Sequence, residues 1–248
     1  MRLPRASGVL LHPTSLPSRF GVGDLGPGTD AFLDLLTAMG QTWWQMLPLG
    51  PTGYGNSPYQ STSSYAGNPL LISPELLVVD GLLTGDDWGD YPKFPDDAAE
   101  LELVEPAKLV LLRKAFARFD PAQLGFEDFL KANAHWLDDF ALYRALKDRN
   151  GGLPWYAWDQ LLVAREPEAM AQARASLASE MRFHQFLQYQ FDRQWKRLRL
   201  ACQAREIRLI GDVPIFVAHD SADVWARPDL FFLDETGKPT VATTIRAA

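Results

Sequence analysis

Apolar positions along this chain follow two rhythms, and their order predicts strand alternating with helix at the start. Gly8 to Leu11 is a short apolar run that ends in His12-Pro13-Thr14, which predicts a buried strand opening into a polar loop. From Thr29 to Met39 the period becomes helical, with Phe32, Leu35, Leu36 and Met39 on one face, Thr29 as cap and Gly40 as stop. Thr42 to Leu49 predicts a second strand. Strand, helix, strand, with a long loop leaving each strand, opens a βαβ series and implies parallel pairing. A short helix follows near Pro74 to Val79, then a charged loop from Gly85 to Asp97. Ala107 to Phe119 predicts a helix started by Pro106, with Leu109, Leu112, Phe116 and Phe119 on one side. Phe126 to Arg149 predicts another, stopped by Asn150-Gly151-Gly152. The helical pattern from Pro167 to about Arg205 is too long for one rod and predicts a break before Glu180. Ile207 to Phe216 predicts a third strand, after which Asp220 is expected to cap a short helix over Ser221 to Ala226, with Asp223 at its positive end.

Composition narrows the function classes. The chain has 248 residues, 47% of them hydrophobic, enough for a substantial core. A net charge of −7 without any Lys/Arg run argues against nucleic acid and anionic membrane as partners. The single cysteine, Cys202, excludes an internal disulfide and a cysteine-cluster metal site and fits a reducing, cytoplasmic setting. The apolar run at the N-terminus is too short for a signal-peptide core, and no stretch approaches membrane-spanning length.

Candidate chemistry gathers in two places. The stretch Gln45 to Gln60 is almost uncharged and rich in Gly, Pro, Thr, Asn and Ser, with Tyr54 and Tyr59 projecting from it. A stiff loop that offers aromatic faces beside uncharged hydrogen-bonding groups suits a sugar, whose C–H faces rest on rings while its hydroxyls need donors and acceptors. A connector whose tyrosines fill gaps has the same composition, and both readings stand at this point. Asp212 lies in the third apolar run, where a carboxylate must be paired or sit at the strand's exit, and parallel-strand exits are where ligands bind. His12 and His219 lack a third partner for a catalytic zinc, so no metal is expected. Asp220 and Asp223 read as helix-start residues, His135 and His184 as packing or surface residues, and Trp155 and Trp158 as core. Ser15, Ser57 and Ser221 lack the context of a nucleophile, and the glycines before Thr29 lack nucleotide-binding spacing.

Several long motifs occur in order: His12-Pro13-Thr14-Ser15-Leu16-Pro17, Gly50 to Gln60, Ala66-Gly67-Asn68-Pro69, Gly211 to Ala218 and Asp220 to Trp225. Together they resemble the amylomaltases, the bacterial 4-α-glucanotransferases of glycoside hydrolase family 77, over about residues 1 to 242. The resemblance implies an α/β fold, the (β/α)8 barrel of the α-amylase clan, with a helical insertion. Three strands where about eight are needed make that barrel incomplete. Residues 1–79 would begin the barrel, 80–179 form the insertion, 180–242 resume the barrel, and 243–248 depart from the family. The implied reaction moves α-1,4-glucan segments to another glucan or to glucose by a retaining double displacement, without cofactor. By position, Tyr59 would stack on the sugar beside the bond being cut. Asp212 would hydrogen-bond that sugar, Ser57 would help hold it, and Tyr54 would belong to an outer glucan-binding surface. The nucleophile and the acid/base carboxylate are expected on later strands, which makes this chain an inactive piece of such an enzyme. The alternative is a noncatalytic maltooligosaccharide-binding fragment or a relic.

Overall fold

The computed structural model describes residues 5–95, 98–122, 125–234 and 237–240, and of Tyr54 the backbone only. The expected departure over 243–248 lies outside the described residues. The chain divides into two compact units, each built from separate stretches: Met1–Leu49, Gly67–Ala132 and Phe186–Val213 in the first, Gly50–Ala66, Asn133–Gln185 and Pro214–Ala248 in the second.

The first unit is built on a parallel three-stranded sheet in the order β1 (Gly8–Leu10), β2 (Trp43–Gln45), β3 (Arg208–Ile210). Gly8 pairs with Trp43 and Trp43 with Arg208, and the next two rows follow in register. Side chains alternate across a pleated sheet. The middle row, Val9, Trp44 and Leu209, therefore faces the helices, where Trp44 is wholly buried with Leu25, Leu33, Leu36, Met46, Leu71 and Leu198. The strands are shorter than their apolar runs. The third ends at Ile210 rather than Phe216, and Val213, Ile215 and Phe216 are 77%, 87% and 42% exposed, so apolar composition there does not mark a buried strand.

Helix α1 (Pro27–Ala38) begins after Gly26, which is its N-cap in place of Thr29. Thr29 lies one turn in, and its hydroxyl donates to the Gly26 carbonyl at 2.7 Å. The buried face is Thr29, Phe32, Leu33 and Leu36, while Leu35 and Met39 are about half exposed. Two sets of positions with the same i, i+3, i+4, i+7 spacing overlap in this sequence, and the sheet covers the earlier one. Helix α2 is Pro74–Val79, capped by the Ser73 hydroxyl. Helix α3 (Leu101–Arg118) starts six residues before the expected Ala107, so Pro106 lies inside it. Pro106 removes one helical hydrogen bond, and Glu102, whose carbonyl loses that partner, is an exposed residue. The buried stripe is Val104, Lys108, Leu111, Leu112 and Ala115. A lysine in that stripe hid its phase from an apolar count, and Leu109 is exposed.

Helix α4 (Phe126–Arg149) occupies the expected span, and its residues are divided between the units. In the second unit follow α5 (Gln160–Val163) and α6 (Pro167–Ser176). The expected break comes at Leu177, before α7 (Ala178–Ala204), which returns to the first unit. Helix α8 (Ala222–Ala226) is capped by the hydroxyl of Ser221, which accepts from Val224 N, and not by Asp220. The core of the second unit is aromatic. Tyr143, Trp158 and Trp225 pack ring against ring, and Trp155 and Trp158 are buried as expected.

Candidate functional site

Each of the two units holds candidate groups of its own. In the first, polar groups stand just beyond the ends of the strands. His12 follows β1, and one orientation of its ring satisfies every neighbour. Nε2–H donates to the Pro48 carbonyl beyond β2 at 3.3 Å, which leaves Nδ1 to accept from the Thr14 hydroxyl at 2.6 Å. The imidazole is thus a tie between two strand exits. Burial lowers its pKa below 6.5, opposed in part by the Pro48 bond, so the ring is neutral at neutral pH. Asp212 lies two residues past β3, half-buried, where one carboxylate oxygen accepts from Val213 N at 2.8 Å.

In the second unit the tyrosine loop is a closed, fastened structure. Thr52 and Ser61 form an antiparallel bridge at its neck, and Gly53 N donates to the Gln60 carbonyl at 2.7 Å. At the tip, Gly55 and Asn56 both take left-handed backbone, at φ 69° and 55°. Ser57 and Tyr59 come together: the Ser57 hydroxyl accepts from Tyr59 N at 3.3 Å, and the Tyr59 ring remains 44% exposed. The serine oxygen thereby sets the backbone that carries the ring, a role its composition did not reveal. The side chain of Tyr54 lies outside the described residues.

What holds this loop is the segment after β3. Ala218 N donates to the Ser61 carbonyl, Ala222 N to the Thr62 carbonyl, and the Asp223 carboxylate accepts from Ser64 N at 3.0 Å. Asp223 is therefore a loop fastener as well as a helix-start residue. Asp220 accepts from the Tyr143 hydroxyl at 2.8 Å, from Trp155 N at 3.2 Å and from the Lys147 ammonium. Burial and then the adjacent Asp220 charge raise the pKa of Tyr143, so it stays a donor at any ordinary pH. His219 stacks on Tyr156 with 4.7 Å between centroids and contacts the Gly237 carbonyl through Nε2. His184 contacts Asp148, and His135 meets the edge of Tyr65. Among the described residues no group of three or more His, Cys, Asp or Glu is placed to hold a metal ion, and no helix is long and apolar enough to cross a membrane.

Sequence reasoning missed the polar groups that secure the loops of the first unit. Lys108, fully buried, donates to Asp24 at 3.1 Å and to the Leu70 carbonyl at 2.6 Å. On α7, the amide of Gln188 brackets Gly67, accepting from its N–H at 2.8 Å and donating to its carbonyl at 3.0 Å. Gln194 does the same for Ser73, at 2.7 and 3.2 Å. These glutamines fall on the inner side of a helix, and only that phase, not their type, marks them.

A parallel sheet with its polar and aromatic groups on the loops beyond the strands defines an α/β protein of the kind that binds ligands at strand exits. The chain belongs to glycoside hydrolase family 77, described as 4-alpha-glucanotransferase, whose profile matches residues 11–241. It is 48% identical over 250 residues to the 4-alpha-glucanotransferase of Thermus thermophilus, covering 99% of this chain and 49% of that one. The Synechocystis 4-alpha-glucanotransferase is 45% identical, over 94% of this chain and 48% of its own length. In structure the chain resembles the amylomaltase of Streptococcus agalactiae solved with acarbose, with a TM-score of 0.88 and 39% identity over 95% of this chain and 48% of that one. The chain thus spans about half the length of the relatives it matches.

Proposed function

We propose that this chain supplies the sugar-holding part of a 4-alpha-glucanotransferase that moves α-1,4-glucan segments between maltooligosaccharides. The observation that carries the reading is the family match over 11–241, which takes in both the tyrosine loop and the segment that fastens it. In this reading Tyr59 offers its ring to the sugar beside the bond being cut, Asp212 hydrogen-bonds that sugar, Ser57 supports it and Tyr54 belongs to an outer glucan surface. The barrel begins over 1–79, is interrupted by the helical insertion of 80–179 and resumes over 180–242. The reaction is a retaining double displacement, and its nucleophile and acid/base carboxylates come from strands outside these 248 residues. The setting is cytoplasmic.

The test is incubation of the purified chain with maltotriose, followed by chromatography. Binding without products is expected. Glucose together with longer glucans would show that carboxylates within this chain suffice and would overturn the division of labour proposed here. Failure of a folded sample to bind maltooligosaccharides at all would remove the sugar-holding role.

A further inference from the structure

The second unit carries a stair of aromatic rings that leads from its interior to solvent. Phe140 of α4 is buried, and Trp136, one turn earlier, is half-buried against it with 5.9 Å between centroids. Tyr65 lies on Trp136 at 5.8 Å with only 16° between the planes, an offset stack. It is the outermost ring, 60% exposed. His135, also exposed, stands across Tyr65 at 87° and 5.6 Å. An exposed tyrosine is ordinary in itself, and scattered apolar surface needs no explanation. What sets Tyr65 apart is how firmly it is placed.

Its backbone and its ring are both fixed. Tyr65 N donates to the hydroxyl of buried Ser63 at 3.2 Å, and the residue before it, Ser64, donates from N to the Asp223 carboxylate at 3.0 Å. The indole beneath the ring is set in turn, because Trp136 Nε1–H donates to the Asn133 side-chain oxygen at 3.1 Å. The polar groups around the ring are unused. Among the described residues neither the Tyr65 hydroxyl nor a ring nitrogen of His135 has a hydrogen-bond partner. A surface whose rings are ordered beforehand loses little freedom when a ligand settles on it.

We infer that Tyr65, Trp136 and His135 form a second platform for α-1,4-glucan, separate from the Tyr59 ring. A pyranose lays its C–H face on an aromatic ring and turns its hydroxyls to the rim, where the phenol and the imidazole offer both donors and acceptors. Tyr59 and Tyr65 stand on the same fastened loop, six residues and so at most about 22 Å apart. One glucan of several units can therefore rest on both rings, and the ring it meets first raises its local concentration at the other. A short glucan engages one ring at a time and gains nothing from the pair. The inference deepens the proposed function and rests on its reading of the ligand as a glucan.

The experiment is NMR titration of the isotope-labelled full chain with maltoheptaose, following the indole N–H of Trp136, assigned by its loss in Trp136→Phe. This signal is expected to shift as the sugar saturates the chain. Tyr65→Ala, at an exposed position, should melt like the parent, lose the shift and weaken maltoheptaose about two- to tenfold, the range of one ring contact. Tyr65→Phe keeps the stacking face and should retain the shift, and His135→Ala should weaken binding while the chain stays folded. Saturation by maltoheptaose with the Trp136 signal unmoved, or with equal affinity in Tyr65→Ala, would overturn the inference and leave the Tyr59 reading standing. A Trp136 shift together with undiminished affinity in Tyr59→Ala would do the reverse. A folded chain that does not bind maltoheptaose would sink both. Self-association that Tyr65→Ala abolishes and maltoheptaose does not disturb would mark the platform as a protein contact and overturn the inference.

Discussion

Lys108 and Asp24 show how much one residue can fix. Their ion pair is sealed from water, and desolvation lowers the lysine's pKa while the Asp24 charge works against it. Two charges in such a place contribute little net stability together, but removing one strands the other. Lys108→Met should therefore cost about 3–5 kcal/mol in urea denaturation, and the double variant with Asp24→Asn should recover part of it. His12 makes a prediction of opposite character. Its folded pKa lies below the value of 6.5 that the unfolded chain has, so the unfolded state binds the extra proton. The stability it contributes is fully present above about pH 6.5 and is lost as the pH falls below it, with a slope of at most about 1.4 kcal/mol per pH unit. Melting followed from pH 7 to pH 5 should decline less steeply in His12→Gln than in the parent. An equal slope in the two would remove His12 as a contributor.

At the scale of elements, the tyrosine loop is held by bonds to its backbone, so its geometry can be loosened without touching a ring. Ser57→Ala deletes the acceptor for Tyr59 N, and a neutral hydrogen bond of about 1 kcal/mol corresponds to roughly a fivefold loss of maltooligosaccharide affinity. Ser57→Thr keeps the oxygen and should restore most of it. Titration calorimetry distinguishes these outcomes, and equal affinity in all three proteins would show that the bond does not shape the site. A close approach governs the start of the following segment. A Cβ on Gly67 would lie 2.2 Å from the Phe191 ring, so Gly67→Ala should destabilise the chain by about 1–3 kcal/mol in denaturant. Elements of this kind were legible in part. The helices over 126–149 and after Pro167 stood out because their apolar repeat is long. The face of α1 did not, because Leu35 and Met39 satisfy the same repeat as the residues the sheet covers. The end of β3 was hidden because Val213 and Ile215 are apolar yet exposed.

For the whole molecule, the parallel pairing of the first two strands followed from strand, helix and strand in sequence, whereas the contacts that fix the loops did not. Lys108 and Asp24 are 84 residues apart, and Gln188 and Gly67 are 121 apart. Nothing local in the chain announces such pairs. The motifs that pointed to glucan chemistry sit on loops, and loops are where function concentrates on a rigid scaffold. The structure shows how Ser57, Asp220 and Asp223 hold their neighbours, a level of detail that residue type alone could not supply.

The two glutamine brackets of α7 also act as a ruler. Gln188 and Gln194 are six residues apart on a helix that rises about 1.5 Å per residue, which sets roughly 9 Å of axial rise between them. Gly67 and Ser73 are likewise six residues apart, and fully extended chain would carry them about twice as far. The 3₁₀ turn Pro69–Leu71 takes up that slack. Segment length is therefore metered by the helix. One residue inserted between Gly67 and Ser73 would throw one bracket out of step, although the inserted stretch would look like an ordinary loop.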